Sequence, residues 1–354
     1  MLVGGMHMKN SPIFSTRKRS DSNHDPDSRG LLLMLLALVF VSAVMSMCLG
    51  AVRVSFRDIL TILAGRQSGT AAAHILLLAR LPRTCGCLLA GMALAVSGAI
   101  IQSVLNNPLA APNVIGVNSG AGLMVILFSA IAPASISLVP FAAFAGALLG
   151  VMLVLVIGEK TGASRITLVL SGVAVSNIFS AGIDAVITFV PDALNGYSDF
   201  RIGGFANLSM SRIVPAFWLI LIALILVLSL SHELDILNLG ADTAQSLGLP
   251  ARKLRLLFLV LAAALAGAAV SFSGLLGFVG LIIPHIMRKL VGEENHILIP
   301  ACALGGAALV TICDLLARIV VAPYELPVGI VLSLLGGPFF LWLLLRQRGG
   351  RTHD

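Results

Sequence analysis

"GFVGLIIPHIMRKLVG", running from Gly277 to Gly292, changes character half-way along. Its first half has no polar side chain. Its second half brings His285, Arg288 and Lys289 directly after Pro284. Two readings compete. Pro284–His285 is either a buried functional pair, such as a metal or proton site, or the place where an apolar helix meets water. A lone histidine in an apolar run is more often packed or interfacial than a ligand, so the rest of the chain has to arbitrate.

The bulk numbers favour the membrane. Of 354 residues, 58% are hydrophobic and 11% charged, and the mean hydropathy is +1.02. Soluble domains are about 45–50% apolar and about 25% charged. The apolar residues also come in runs of roughly twenty, the length a bilayer requires. The expected class is therefore an all-α integral membrane protein. The net charge of +7 reads as basic loops. No basic run with interleaved aromatics points to nucleic acid. Cys48, Cys85, Cys87, Cys302 and Cys313 all lie in or beside apolar runs and read as packing residues.

Ten spans are expected, at 31–50, 82–105, 114–132, 137–158, 166–190, 213–231, 254–273, 276–290, 297–320 and 328–345. Both termini then share one side. With that side inside, all the lysines and most of the arginines fall on inner segments, as the positive-inside rule asks. Residues 1–30 read as a disordered cytoplasmic tail, 31–346 as the transmembrane domain and 347–354 as a short cytoplasmic tail. Small-xxx-small pairs, Gly116 with Gly120 and Gly146 with Gly150, predict close helix approach.

Catalytic signatures are missing. Gly-Lys never occurs, so the chain carries no phosphate-binding P-loop. No histidine lies four residues from another, and no metal-ligand spacing appears. Asp184 in "SNIFSAGIDAVITFV" lies roughly 10 Å below the outer end of its span. It lines a water-filled path together with Asn177, or it reaches the outer interface. Asp314 and Arg318 are spaced as a structural ion pair. Two connections look structured. The inner one, about 232–253, holds "ADTAQSLG", a short helix stopped by Gly248 and Pro250. It reads as a docking element for a soluble partner, or as an amphipathic piece resting on lipid. The outer one, 191–212, has room for a half-length helix.

Four stretches carry a family resemblance. They are "RLPRTCGCLLAGMALAVSGAIIQSVLNNPLAAPNVIGVNSGAG" at 80–122, "LNLGADTAQSLGLPARKLR" at 237–255, "GFVGLIIPHIMRKLVGEENHILIP" at 277–300, and "DLLARIVVAPYELPVGIVLSLLGGPFFLWLLLRQR" at 314–348. The chain resembles the FecCD-type permeases, membrane subunits of bacterial ABC importers for iron–siderophore complexes, haem and cobalamin. The resemblance implies a ten-helix, type II importer permease bundle in the bacterial cytoplasmic membrane. It implies a second permease subunit, as a homodimer or a paralogue, two ATPase subunits inside and a solute-binding protein outside. The chain would then be no enzyme and would hold no cofactor, with ATP and Mg²⁺ bound on the partner ATPase.

By motif, the resemblance assigns Leu239, Gly240, Ala241, Asp242, Ala244, Gln245, Leu247 and Gly248 to ATPase coupling. It assigns Arg80, Arg83 and Arg318 to contacts with the binding protein, and Ala163 and Ser164 to the inner gate. Asn177 and Asp184 would line the path. Three departures bear on cargo: Ala111 where the family often has an acid, "FRIGGFANLS" in the outer segment, and Asp184 where an uncharged residue is common. An iron–siderophore complex is the expected cargo, with cobalamin or haem as the alternative. A secondary transporter using Asp184 as its ion site is the rival from another class. The opening stretch becomes the eighth span, running inward. Gly277 and Gly280 are expected to pack, Arg288–Lys289 to mark the inner surface, and Pro284–His285 to shape the helix end there.

Overall fold

The computed structural model describes residues 28–50, 55–64, 70–160 and 165–348. In chain order its α-helices are α1 (Ser28–Cys48), α2 (Phe56–Leu63), α3 (Ala71–His74), α4 (Leu81–Leu105), α5 (Val117–Ile131), α6 (Val139–Lys160), α7 (Arg165–Phe189), α8 (Ala193–Ile202), α9 (Met210–Ser229), α10 (Ser231–Asn238), α11 (Ala241–Ser246), α12 (Ala251–Ser273), α13 (Val279–Val291), α14 (Asn295–Ile319) and α15 (Val328–Arg348). Each of the ten expected spans holds one of these helices. Seven are long and apolar enough to cross a membrane by themselves, counting α3 to α4 as one continuous helix over Ala71–Leu105. The join between α3 and α4 is a wider π-type turn at Ile75–Arg80. The second span therefore starts about ten residues before the position expected from hydropathy.

α4 forms the centre, packed by α12, α13 and α14. Lipid is as apolar as leucine, so membrane helices gain little from burying apolar side chains and rely on close van der Waals approach. Small residues in α4 permit that approach. A Cβ at Gly91 would overlap the Gly306 carbonyl of α14, and a Cβ at Gly98 would overlap the Gly280 carbonyl of α13. The small-residue pairs of α5 and α6 turn out to be each other's partners. Gly120 meets Gly146, and Gly116 meets Gly150.

The helix of the opening stretch, α13, has 13 residues, about 20 Å of rise. That is short of a hydrocarbon core of about 30 Å. The irregular segment before it makes up the difference. Lipid cannot satisfy bare peptide groups, so such a segment must be bonded within the protein. Leu275 N–H donates to the Phe200 carbonyl at 2.9 Å, and Gly204 N–H donates to the Ser273 carbonyl at 2.8 Å. One expectation for this stretch, the packing of Gly277, is corrected. A Cβ at Gly277 would meet nothing within 4 Å, whereas one at Gly280 would crowd the Leu94 carbonyl of α4. Pro284 lies inside α13, which ends at Val291, close to the expected end of the span at residue 290 and one turn after Arg288. Arg288 turns inward to α4, while its neighbour Lys289 is exposed.

Candidate functional site

At the end expected to face outward, charge is folded into the protein. Asp314 of α14 is 0% exposed. Its carboxylate accepts from Arg83 Nε at 3.0 Å and lies 3.2 Å from Arg318 Nε. Arg83 also donates to Glu325 Oε2 at 2.6 Å. Arg318 donates to Ser46 Oγ at 2.7 Å and to the Ser46 carbonyl at 3.2 Å. Arg80 donates to the carbonyls of Met47 and Cys48 at 2.5 and 3.0 Å. The last turn of α1 leaves carbonyls without intrahelical partners and carries the negative end of the helix dipole. Two guanidiniums from other helices satisfy it.

The three arginines expected to contact a binding protein thus meet in one cluster within the chain. Arg80 and Arg318 are 6% and 4% exposed, and their donors are engaged on α1 and Asp314. Only Arg83 keeps a partly open side chain, and it is paired twice. The cluster borders an outer cavity of about 550 Å³ that Phe205, Asn207 and Glu325 also line.

The connection expected to lie inside has the opposite design. α10 and α11 follow α9 as two short helices. Gly240, at φ +115°, and Gly248, at φ +82°, bracket α11 in backbone conformations that side chains with a Cβ avoid. Ala244 is fully buried and anchors the loop, while Leu239 and Leu247 are 67% and 62% exposed. Gln245 and Gly248 are also exposed. The helix backbone passes through Ala241 and Asp242, whose side chains lie outside the described set. A shallow cavity of about 380 Å³ runs from Gln245 to Lys253.

The loop is tied to the bundle by residues that the sequence did not flag. Asp235 of α10 accepts from the Asn295 backbone N–H at 2.9 Å and from Asn295 Nδ2 at 2.7 Å, at the start of α14. Asn295 in turn pairs with Ser103 of α4 at 3.5 Å. Arg288 donates to Gln102 of α4 and reaches Ser103 at 3.4 Å. Gln102 donates to the Gly280 carbonyl at 3.2 Å. One polar chain thus joins α10, α14, α4 and α13. The His285 ring lies edge-on to Phe339 at 6.0 Å. Its Nε2 is buried without a hydrogen bond among the described residues.

α7 holds the third set. Asn177 and Asp184 are both exposed and share one face, two turns apart. Ala163 and Ser164 lie outside the described residues. Among the described residues, no three His, Cys, Asp or Glu side chains gather in a way that would hold a metal ion.

With this geometry in view, the sequence profile of the FecCD transport family matches residues 35–346. The chain belongs to the FecCD transport family. The hemin transport system permease protein HmuU of Yersinia pestis is 38% identical over 331 residues, covering 92% of this chain and 98% of that one. The Fe(3+)-citrate import system permease protein YfmE of Bacillus subtilis is 38% identical over 315 residues, covering 88% and 94%. Among solved structures, a metal-chelate type ABC transporter in an inward-facing conformation superposes with a TM-score of 0.80 at 29% identity, over 90% of this chain and 99% of that one. This FecCD chain is thus a multi-pass membrane component of transport rather than a catalyst.

Proposed function

We propose that this FecCD chain is the permease subunit of an ATP-driven importer in the bacterial cytoplasmic membrane, with a ferric chelate as cargo. Two permease chains, as a homodimer or with a paralogue, would enclose the path. Two ATPase subunits would dock inside with their own ATP and Mg²⁺, and a solute-binding protein would deliver cargo outside. The observation that carries this reading is the α10–α11 loop. Exposed leucines on a small, glycine-bracketed helix favour a protein partner, because an exposed apolar pair gains most when it is covered. The polar chain from Asp235 through Asn295 to Ser103 supports a rigid push from that loop into α4, α13 and α14.

Relatives that import haem and ferric citrate support an iron-bearing cargo without choosing between chelates. Haem or cobalamin is the alternative within the same family. The test is uptake of a radiolabelled ferric chelate by the assembled complex in proteoliposomes. A substitution that disables ATP hydrolysis in the partner is expected to abolish uptake. Uptake that persists, driven by a proton or sodium gradient, would replace this reading with a secondary transporter using Asp184.

A further inference from the structure

A separate cavity of about 580 Å³ is walled largely by helix ends. Ser129 lies in the last turn of α5, Pro140 in the first turn of α6, Arg212 in the first turn of α9, and Ser273 closes α12. The helix α8 runs along one side. Its Asp192, Asn195 and Asp199 are spaced by three and four residues, so a single polar stripe meets the cavity. Membrane-spanning helices end where hydrocarbon gives way to headgroups, and four of them end here.

The charges come from different walls. Asp192 and Asp199 supply two carboxylates, and the ends of α5 and α12 add the negative poles of their dipoles. Arg212 supplies a guanidinium, and the starts of α6 and α9 add positive poles. No ion pair or side-chain hydrogen bond of Asp192, Asp199 or Arg212 occurs among the described residues. Ser129 is 8% exposed and lines the cavity, and its hydroxyl has no hydrogen bond among the described residues. A buried polar group of this kind asks for a partner that the chain does not provide. Beside the cavity, the outer surfaces of α6 and α9 are apolar, with exposed Phe141, Val214, Phe217 and Trp218. Aromatic rings collect at membrane–water interfaces.

We propose that this cavity seats the phosphoethanolamine headgroup of a membrane lipid. The ammonium donates to Asp192 and Asp199, the phosphate faces Arg212, and the acyl chains leave along α6 and α9. Opposite charges on separate walls suit a zwitterion. An anionic glycerol headgroup would leave the carboxylates without a cation, and Arg212 would oppose a metal ion. A choline headgroup has the same net charge but no N–H to donate.

The experiment uses that last difference. The full-length permease is equilibrated with phosphatidylethanolamine, phosphatidylcholine and phosphatidylglycerol of identical acyl chains, and retained lipid is measured by native mass spectrometry. The wild type is expected to prefer the ethanolamine lipid to the choline lipid by about tenfold, the order of one charge-assisted hydrogen bond. Asp192→Ala with Asp199→Ala should bring that ratio close to one. Arg212→Gln should weaken both zwitterionic lipids severalfold and leave their ratio intact. The unfolding temperature of each variant in detergent is measured to show that the fold is kept. A wild-type ratio near one, a ratio that the double alanine variant leaves unchanged, or unchanged retention in Arg212→Gln overturns the proposal. If the unchanged ratio comes with weaker affinity for the binding protein, the cavity is a docking pocket for that protein instead. Water-soluble glycerophosphoethanolamine is added as a competitor. Displacement of the ethanolamine lipid by an equal concentration of it makes the ligand a soluble zwitterion and overturns the lipid assignment, whereas retention of the lipid supports it.

Discussion

The two ends of the bundle invert the usual rule for surfaces in opposite ways. Outside, Arg80, Arg318 and Asp314 are buried. Inside, Leu239 and Leu247 stand in the open. The outer charges hold α1, α4 and α14 together: Asp314 is shared by two guanidiniums, and α1's free carbonyls take the rest. That end is closed on itself. The inner leucines are mostly uncovered within the chain, and under the importer reading a partner would cover them. Side chains of the wrong polarity for their exposure thus mark an internal clamp in one case and an external contact in the other. The hydrogen-bond partners tell the two apart.

Breaking the clamp should have the largest effect. Asp314→Ala leaves the buried Arg318 and the partly open Arg83 without their shared counter-charge, a change that costs about 3–5 kcal/mol. The expected result is a sharply lower unfolding temperature in detergent and little permease in the membrane. If the variant keeps wild-type stability, the outer cluster is not a clamp. Arg80→Met should cost less, about 1–3 kcal/mol, by stripping donors from the α1 carbonyls. It should leave the salt dependence of binding-protein affinity unchanged, as titrations at two ionic strengths would show. A changed salt slope would place Arg80 on the docking surface.

At the inner end the effect should fall on assembly and spare the fold. Leu239→Asp with Leu247→Asp is expected to weaken ATPase association at least tenfold, equivalent to about 1.4 kcal/mol. The unfolding temperature of the isolated permease should stay near the wild-type value. Equal co-purification of the ATPase would remove the loop from the interface. The smallest change is expected for Asp235→Ala, which removes an acceptor at the start of α14 and costs about 1 kcal/mol. If Asp235 also transmits motion, transport per ATP hydrolysed should fall further than that loss of stability explains. A proportionate fall would make it a helix cap alone.

Span positions, the short helix before Gly248 and the half-length outer helix were all legible in the sequence. Each depends on local hydropathy, capping or turn residues. The eighth span was harder. α13 is shorter than the bilayer is thick, and the bonded segment ahead of it completes the crossing through contacts with Phe200 and Gly204. Neither partner lies near it in sequence.

The sequence by itself determined that the chain is a helical membrane protein of the FecCD family, and it set the expectation that its basic residues are biased to one side. Transfer free energy and charge asymmetry are summed residue by residue along the chain, so they survive without coordinates. Only the tertiary structure decided which way the arginines point. Arg83 and Asp314 are 231 residues apart, Arg288 and Gln102 are 186 apart, and no periodicity links them. Tertiary packing likewise matched Gly116–Gly120 to Gly146–Gly150. A small-residue motif offers a close approach, and the surrounding packing selects which helix takes it.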